Sequence, residues 1–306
     1  MMGIGTFILD LVAPILEFIA PIVPGDVFPY FFTMELFQRA LLAAILVTIV
    51  AGFLGCFLLI RNLALMGDGL AHVSFGGVAI GVVLGAASPL WYALLFSVIA
   101  AILIHEMQTR ELLTGDASIA IFLTGMLALG LVILRVYGGG ITTDIEGYLF
   151  GNLLLIDSES LDLIAAISIF SFIALMIMQP LLLASTIDPL GSRVQGLPVN
   201  GVGLMFSVIT AAVVVSMVQV VGTLLVTALI VTPAATAQLV GRSFRSCLIW
   251  TQIFGLTSVI LGLYYSAELE TGSGSMIALV AAILFGVVAI LQLIIKSTIK
   301  SKDNIS

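Results

Sequence analysis

Residues 36–85 read LFQRALLAAILVTIVAGFLGCFLLIRNLALMGDGLAHVSFGGVAIGVVLG. Two apolar runs stand here, parted by Arg61-Asn62. A hydrocarbon core of about 30 Å takes about 20 residues of helix, and each run is long enough to cross it. The pattern repeats along the chain, with further runs at 89–105, 117–136, 160–182, 197–218, 221–240, 246–266 and 275–295. The expected fold is therefore all-α, a polytopic transmembrane helical bundle of about eight to nine spans. Composition agrees: the 306 residues are 61% hydrophobic and 9% charged, with mean hydropathy +1.29, which excludes a soluble globular domain.

The stretch 3–24 is apolar too, but Asp10 and Glu17 stand seven apart on one helical face. That pattern suits a helix lying in the membrane interface. The expected organisation is a 1–33 N-terminal extension with an interfacial helix, a 34–296 permease-like transmembrane domain and a 297–306 cytoplasmic tail. A cleavable signal peptide is not expected, because the opening stretch has no basic start and carries those two acids.

Threading nine spans in alternation puts Arg61, Arg110, Arg193, Arg242, Arg245, Lys296, Lys300 and Lys302 on one side, with Arg39 and Arg135 opposite. The positive-inside rule makes the first side cytoplasmic. The other side collects Glu35, Asp144, Glu146, Asp157, Glu159, Glu268 and Glu270, where an arriving cation would meet them. Lipid is the surrounding partner, and a net charge of −7 offers nucleic acid no basic surface.

Several activities are excluded. All three lysines lie at or beyond 296, so no G-x-x-x-x-G-K-[ST] phosphate loop exists in the body of the chain. The protein is expected to be no enzyme, and any ATP hydrolysis must come from another subunit. His105-Glu106 lacks the second histidine of a zinc protease helix. Cys56 and Cys247 read as small core residues, and no permanently bound cofactor is expected.

The chemistry concentrates in Asp68 and His72, four residues apart and so on one helix face. Counted from Arg61 at about 1.5 Å per residue, they lie about 10 and 16 Å into the membrane. Ionisable groups at such depth cost about 2.5–3.5 kcal/mol or more and require a partner, water or a ligand. A carboxylate with a neutral imidazole suits zinc or manganese better than calcium or magnesium. A hydrogen-bonded Asp68–His72 pair that only holds helices together is the alternative. Gly76, on the same face, leaves the column beyond His72 open, while Gly77, Gly81 and Gly85 form a packing stripe.

At GDGLAH and the following GGVAIG the sequence resembles the membrane subunits of the zinc/manganese ABC importer family. Further matches are EGYLFGNLL at 146–154, VVGTLLVTALIVTPAATAQLV at 220–240 and ETGSGSMIAL at 270–279. The resemblance runs from about 34 to 295. It implies that Asp68 and His72 are metal ligands lining the path. It implies a permease homodimer carrying two cytoplasmic ATPase subunits and fed by an extracytoplasmic metal-binding protein.

It also implies that Asp188, Pro189, Gly191, Arg193 and Gly196 belong to a short coupling helix that docks on the ATPase. Ser74-Phe75-Gly76-Gly77 departs from the manganese-type pattern of an apolar residue and proline, which leans towards zinc. The function expected is import of zinc or manganese. A secondary transporter or channel using the Asp/His pair as an ion relay stays open, whereas a siderophore or cobalamin permease would need a wide cavity free of such a pair.

Overall fold

Backbone polar groups surrounded by lipid must be satisfied within the chain, and long apolar segments do so as helices. The computed structural model describes residues 3–86, 88–137, 143–151 and 156–303, with side chains 143–146 and 298–303 left aside. The helices are α1 (Ile4–Ile19), α2 (Tyr30–Thr33), α3 (Glu35–Ile60), α4 (Met66–Val83), α5 (Leu90–Thr109), α6 (Gly115–Tyr137) and α7 (Thr143–Phe150). They continue with α8 (Ser158–Ile187), α9 (Pro189–Val194), α10 (Val199–Val221), α11 (Val226–Val240), α12 (Phe244–Glu268) and α13 (Ser273–Asp303). No strand occurs among the described residues. Several starts are capped by side chains: Asp157 accepts from Ser160 N, Asp188 from Gly191 N and Ser243 from Ser246 N.

Small residues decide which helices go inside. α3 turns Ala40, Ala43, Ala44, Val47 and Ala51 inward, all essentially inaccessible, and α4 and α10 are as deeply enclosed. α6 and α13 expose most of their apolar surface, as lipid-facing helices do. Phe57, Phe75 and Phe206 are the largest fully buried side chains.

Eight of the expected spans are found within a few residues of their predicted bounds, and the ninth is corrected. Gly222, at φ +83, ends α10, and the chain turns before α11. α11 has only 15 residues, about 22 Å of helix, short of a full crossing. The apolar letters run on through Thr223-Leu224-Leu225, so hydropathy alone hides this break. Nine described helices are still long and apolar enough to span, because Ile4–Ile22 qualifies by length and composition.

The N-terminal extension is docked on the core. Thr6 N donates to Asp162 Oδ1 (2.8 Å) near the start of α8. The amides of Asp26, Val27 and Phe28 all donate to the Glu268 carboxylate at the end of α12 (3.2, 3.0 and 2.9 Å). Phe28 stacks edge-on against Tyr264. Both tethers therefore sit at the acidic end of the bundle. Glu35 pairs with Arg39 and Asp157 caps α8, so three of the acids expected to gather cations have structural roles.

Three of the sequence motifs meet at that same end. Thr223 N and Leu224 N donate to Tyr148 O and Leu149 O (3.0 and 3.2 Å), which staples the end of α7 to the α10–α11 turn. Gly151 and Gly222, both at positive φ, bring their backbones into contact, and Gly274 at the start of α13 packs on Val221 and Phe150. A side chain at any of the three would overlap main chain.

Candidate metal site

α4 is a helix of glycines wedged between α5 and α6. A Cβ on Gly76 would lie 2.8 Å from Met126 O, and one on Gly77 2.8 Å from Ala93 Cα and Tyr92 O. Gly81 meets Pro89, while Gly85, at φ +70, belongs to the turn that follows. The packing stripe is thus largely as expected. The open column is not: the backbone of α6 fills the space beside Gly76.

The depth reckoning is corrected as well. Asn62, at φ +57, and the bonds Leu63 N to Leu58 O and Met66 N to Leu63 O fold residues 61–65 into a tight turn. α4 therefore starts at Met66. At about 1.5 Å per residue from there, Asp68 is about 3 Å and His72 about 9 Å along the helix, in the half nearer the basic end.

The two side chains do converge. His72 Nε2 lies 3.7 Å from Asp68 Oδ1, beyond hydrogen-bond distance. His72 is 6% exposed, and the carboxylate of Asp68 is about one-third exposed. Neither imidazole nitrogen makes a hydrogen bond, Nδ1 is fully enclosed without a partner, and Asp68 accepts none among the described residues. Buried polar groups are nearly always satisfied, and His72 Nδ1 is one of several buried side-chain atoms here that have no partner among the described residues. The two side chains stand at ion-pair rather than hydrogen-bond distance.

Thr227 of α11 packs close to the start of α4. Its hydroxyl is also buried without a partner, and it faces Gly67, the residue before Asp68, across α4 and α11. Only the fold reveals it, since the two segments are distant in sequence. The Asp144 side chain lies outside the described residues. No group of three or more His, Cys, Asp or Glu that would hold a metal occurs among the described residues.

The coupling residues form a defined unit. Asp188 caps the six-residue α9, Pro189 occupies its first turn, and Gly196, at φ +80, ends the following loop. Gly191 donates to Asp188 Oδ1 (2.8 Å), and Arg193 reaches Asn200 Oδ1 (3.3 Å). The unit presents Ile187, Leu190 and Val194 to the outside, between 74 and 88% exposed.

A lipid-crossing helical bundle with an unpaired Asp/His couple inside and a short exposed helix at its basic end defines a multi-pass membrane permease. Residues 33–292 match the ABC 3 transport family, and the chain belongs to that family of ABC transporter permeases. It is 35% identical to the manganese transport system membrane protein MntC of Halalkalibacterium halodurans, over 81% of this chain and 84% of that protein. It is 32% identical to the manganese import system permease protein ScaB of Streptococcus gordonii, over 81% of this chain and 88% of that one. Among solved structures, PsaBC from Streptococcus pneumoniae in complex with a Fab superposes with a TM-score of 0.76 at 32% identity, covering 85% of this chain and 93% of that one.

Proposed function

We propose that the chain imports manganese, with Asp68 and His72 as the ligands that hold the ion in passage. The observation that carries this reading is the enclosed His72 ring with no hydrogen bond at either nitrogen, facing a carboxylate 3.7 Å away. A divalent ion between Nε2 and the Asp68 carboxylate would engage both side chains, and Thr227 supplies an oxygen nearby. Two protein ligands with oxygen and water completing the shell suit a site that must release its cargo.

Manganese is preferred to zinc on two grounds. The relatives above are named for manganese. The Ser74–Gly77 departure that leaned towards zinc is a packing feature, with Ser74 bonded to Ala71 O and both glycines pressed on neighbouring helices. It says nothing about the ion. The working assembly is a permease homodimer with two cytoplasmic ATPase subunits and an extracytoplasmic binding protein, α9 being the ATPase contact and α1 lying in the outer interface.

The test is manganese uptake by proteoliposomes holding the permease with its ATPase. Asp68→Asn and His72→Gln are expected to reduce uptake at least about tenfold, with the complex still assembling. Uptake near the wild-type rate in either variant overturns the site.

A further inference from the structure

The basic end holds a second polar site that metal passage does not use. The ends of α3, α5 and α8 and the start of α10 enclose a cavity of ≈ 410 Å³. Arg61 reaches into it from the α3–α4 turn. Its Nε donates to Thr186 Oγ1 (3.1 Å) and its guanidinium lies 5.0 Å from the Phe206 ring centre, but it pairs with no carboxylate among the described residues. Burial pulls its pKa below the ordinary arginine value, as expected for a cation without a counter-charge.

Two independent features point to an anion. Ser207 lines the same cavity, is 4% exposed, and its hydroxyl makes no hydrogen bond among the described residues. The N-terminus of α10, a helix of 23 residues, has no side-chain cap and no acid in its first turn. The amides of Asn200 and Gly201 there bond no carbonyl. On the other side of this helix start lies a second cavity, lined by Arg193. No aspartate or glutamate lines either space, and the adjacent Glu106 is engaged by Arg110 Nε at 2.5 Å. A guanidinium with free N–H groups, open helix amides, a hydroxyl and the amide side chains of Asn62 and Gln108 form the donor set that recognises phosphate.

We propose that this cavity binds a phosphate group at the cytoplasmic membrane surface, either the headgroup of an anionic phospholipid or free phosphate. Arg61 closes α3 and opens the turn that leads into α4, so an occupant would brace the segment on which Asp68 is mounted. The inference stands whether or not Asp68 and His72 hold manganese.

The test uses the full-length permease in detergent, following its thermal unfolding midpoint while titrating inorganic phosphate or phosphatidylglycerol. Phosphatidylcholine and chloride at equal ionic strength serve as controls. A saturable rise with phosphatidylglycerol alone assigns the site to lipid, and a rise with inorganic phosphate assigns it to the free ion. In either case Arg61→Gln is expected to weaken the apparent affinity by about tenfold or more, the weight of a charge-assisted bond. If Arg61→Gln does not fold, Ser207→Asp puts a carboxylate into the cavity without touching Arg61, and the same loss is expected. No saturable rise with either probe, or binding undiminished in the variant that folds, overturns the proposal.

Discussion

At the scale of single residues, Gly76 separates two pictures of the site. Read as letters, it left an open lane beyond His72. In the fold, the place of its missing side chain is taken by the carbonyl of Met126. Gly76→Ala is therefore expected to lower thermal stability by about 1–3 kcal/mol, the usual cost of overpacking, because main chain cannot swing aside as a side-chain tip can. Thermal unfolding of the purified permease measures it. An unchanged midpoint would restore the open lane. The pair itself was legible because i, i+4 spacing survives folding whatever else happens, and Asp68 and His72 share a face wherever their helix lies. Thr227 was not legible, since its relation to Gly67 depends on how α11 packs against α4.

At the scale of elements, length was readable and direction was not. α3, α8, α10 and α12 declare themselves because nothing but helix satisfies the backbone in so long an apolar run. The break at Gly222 is silent, since a turn held by main-chain bonds to Tyr148 and Leu149 needs no polar letters. The opening helix is the clearest case. At about 24 Å it is long enough to be drawn as a span, yet its start is tied to Asp162 and the segment after it to Glu268, both at the acidic end. Residues 20–26 reach about 21 Å when fully extended, too little to bring the chain back across the membrane. Single cysteines replacing Ile4 and Phe18, in a background lacking Cys56 and Cys247, are thus both expected to react with an impermeant maleimide added to intact cells. Protection of either one would show α1 crossing the bilayer.

For the whole molecule, the two ends of the bundle are built for different work. At the acidic end, glycines 151, 222 and 274 sit where main chains meet so closely that a side chain at any of the three would overlap backbone. The basic end is open and carries α9, held between α8 and α10 by the Asp188 cap and by Arg193 on Asn200. Ile187, Leu190 and Val194 stand exposed there, the apolar face that the proposed ATPase contact would use. Leu190→Ser combined with Val194→Ser should then remove the contact without reaching the metal pair. The expected outcome is at least about a tenfold loss of ATPase co-purification, consistent with two anchors of an interface, and unchanged manganese binding to the permease. Full retention of the ATPase would show that α9 is not where the two subunits meet, and loss of manganese binding as well would show that the two ends are not separable.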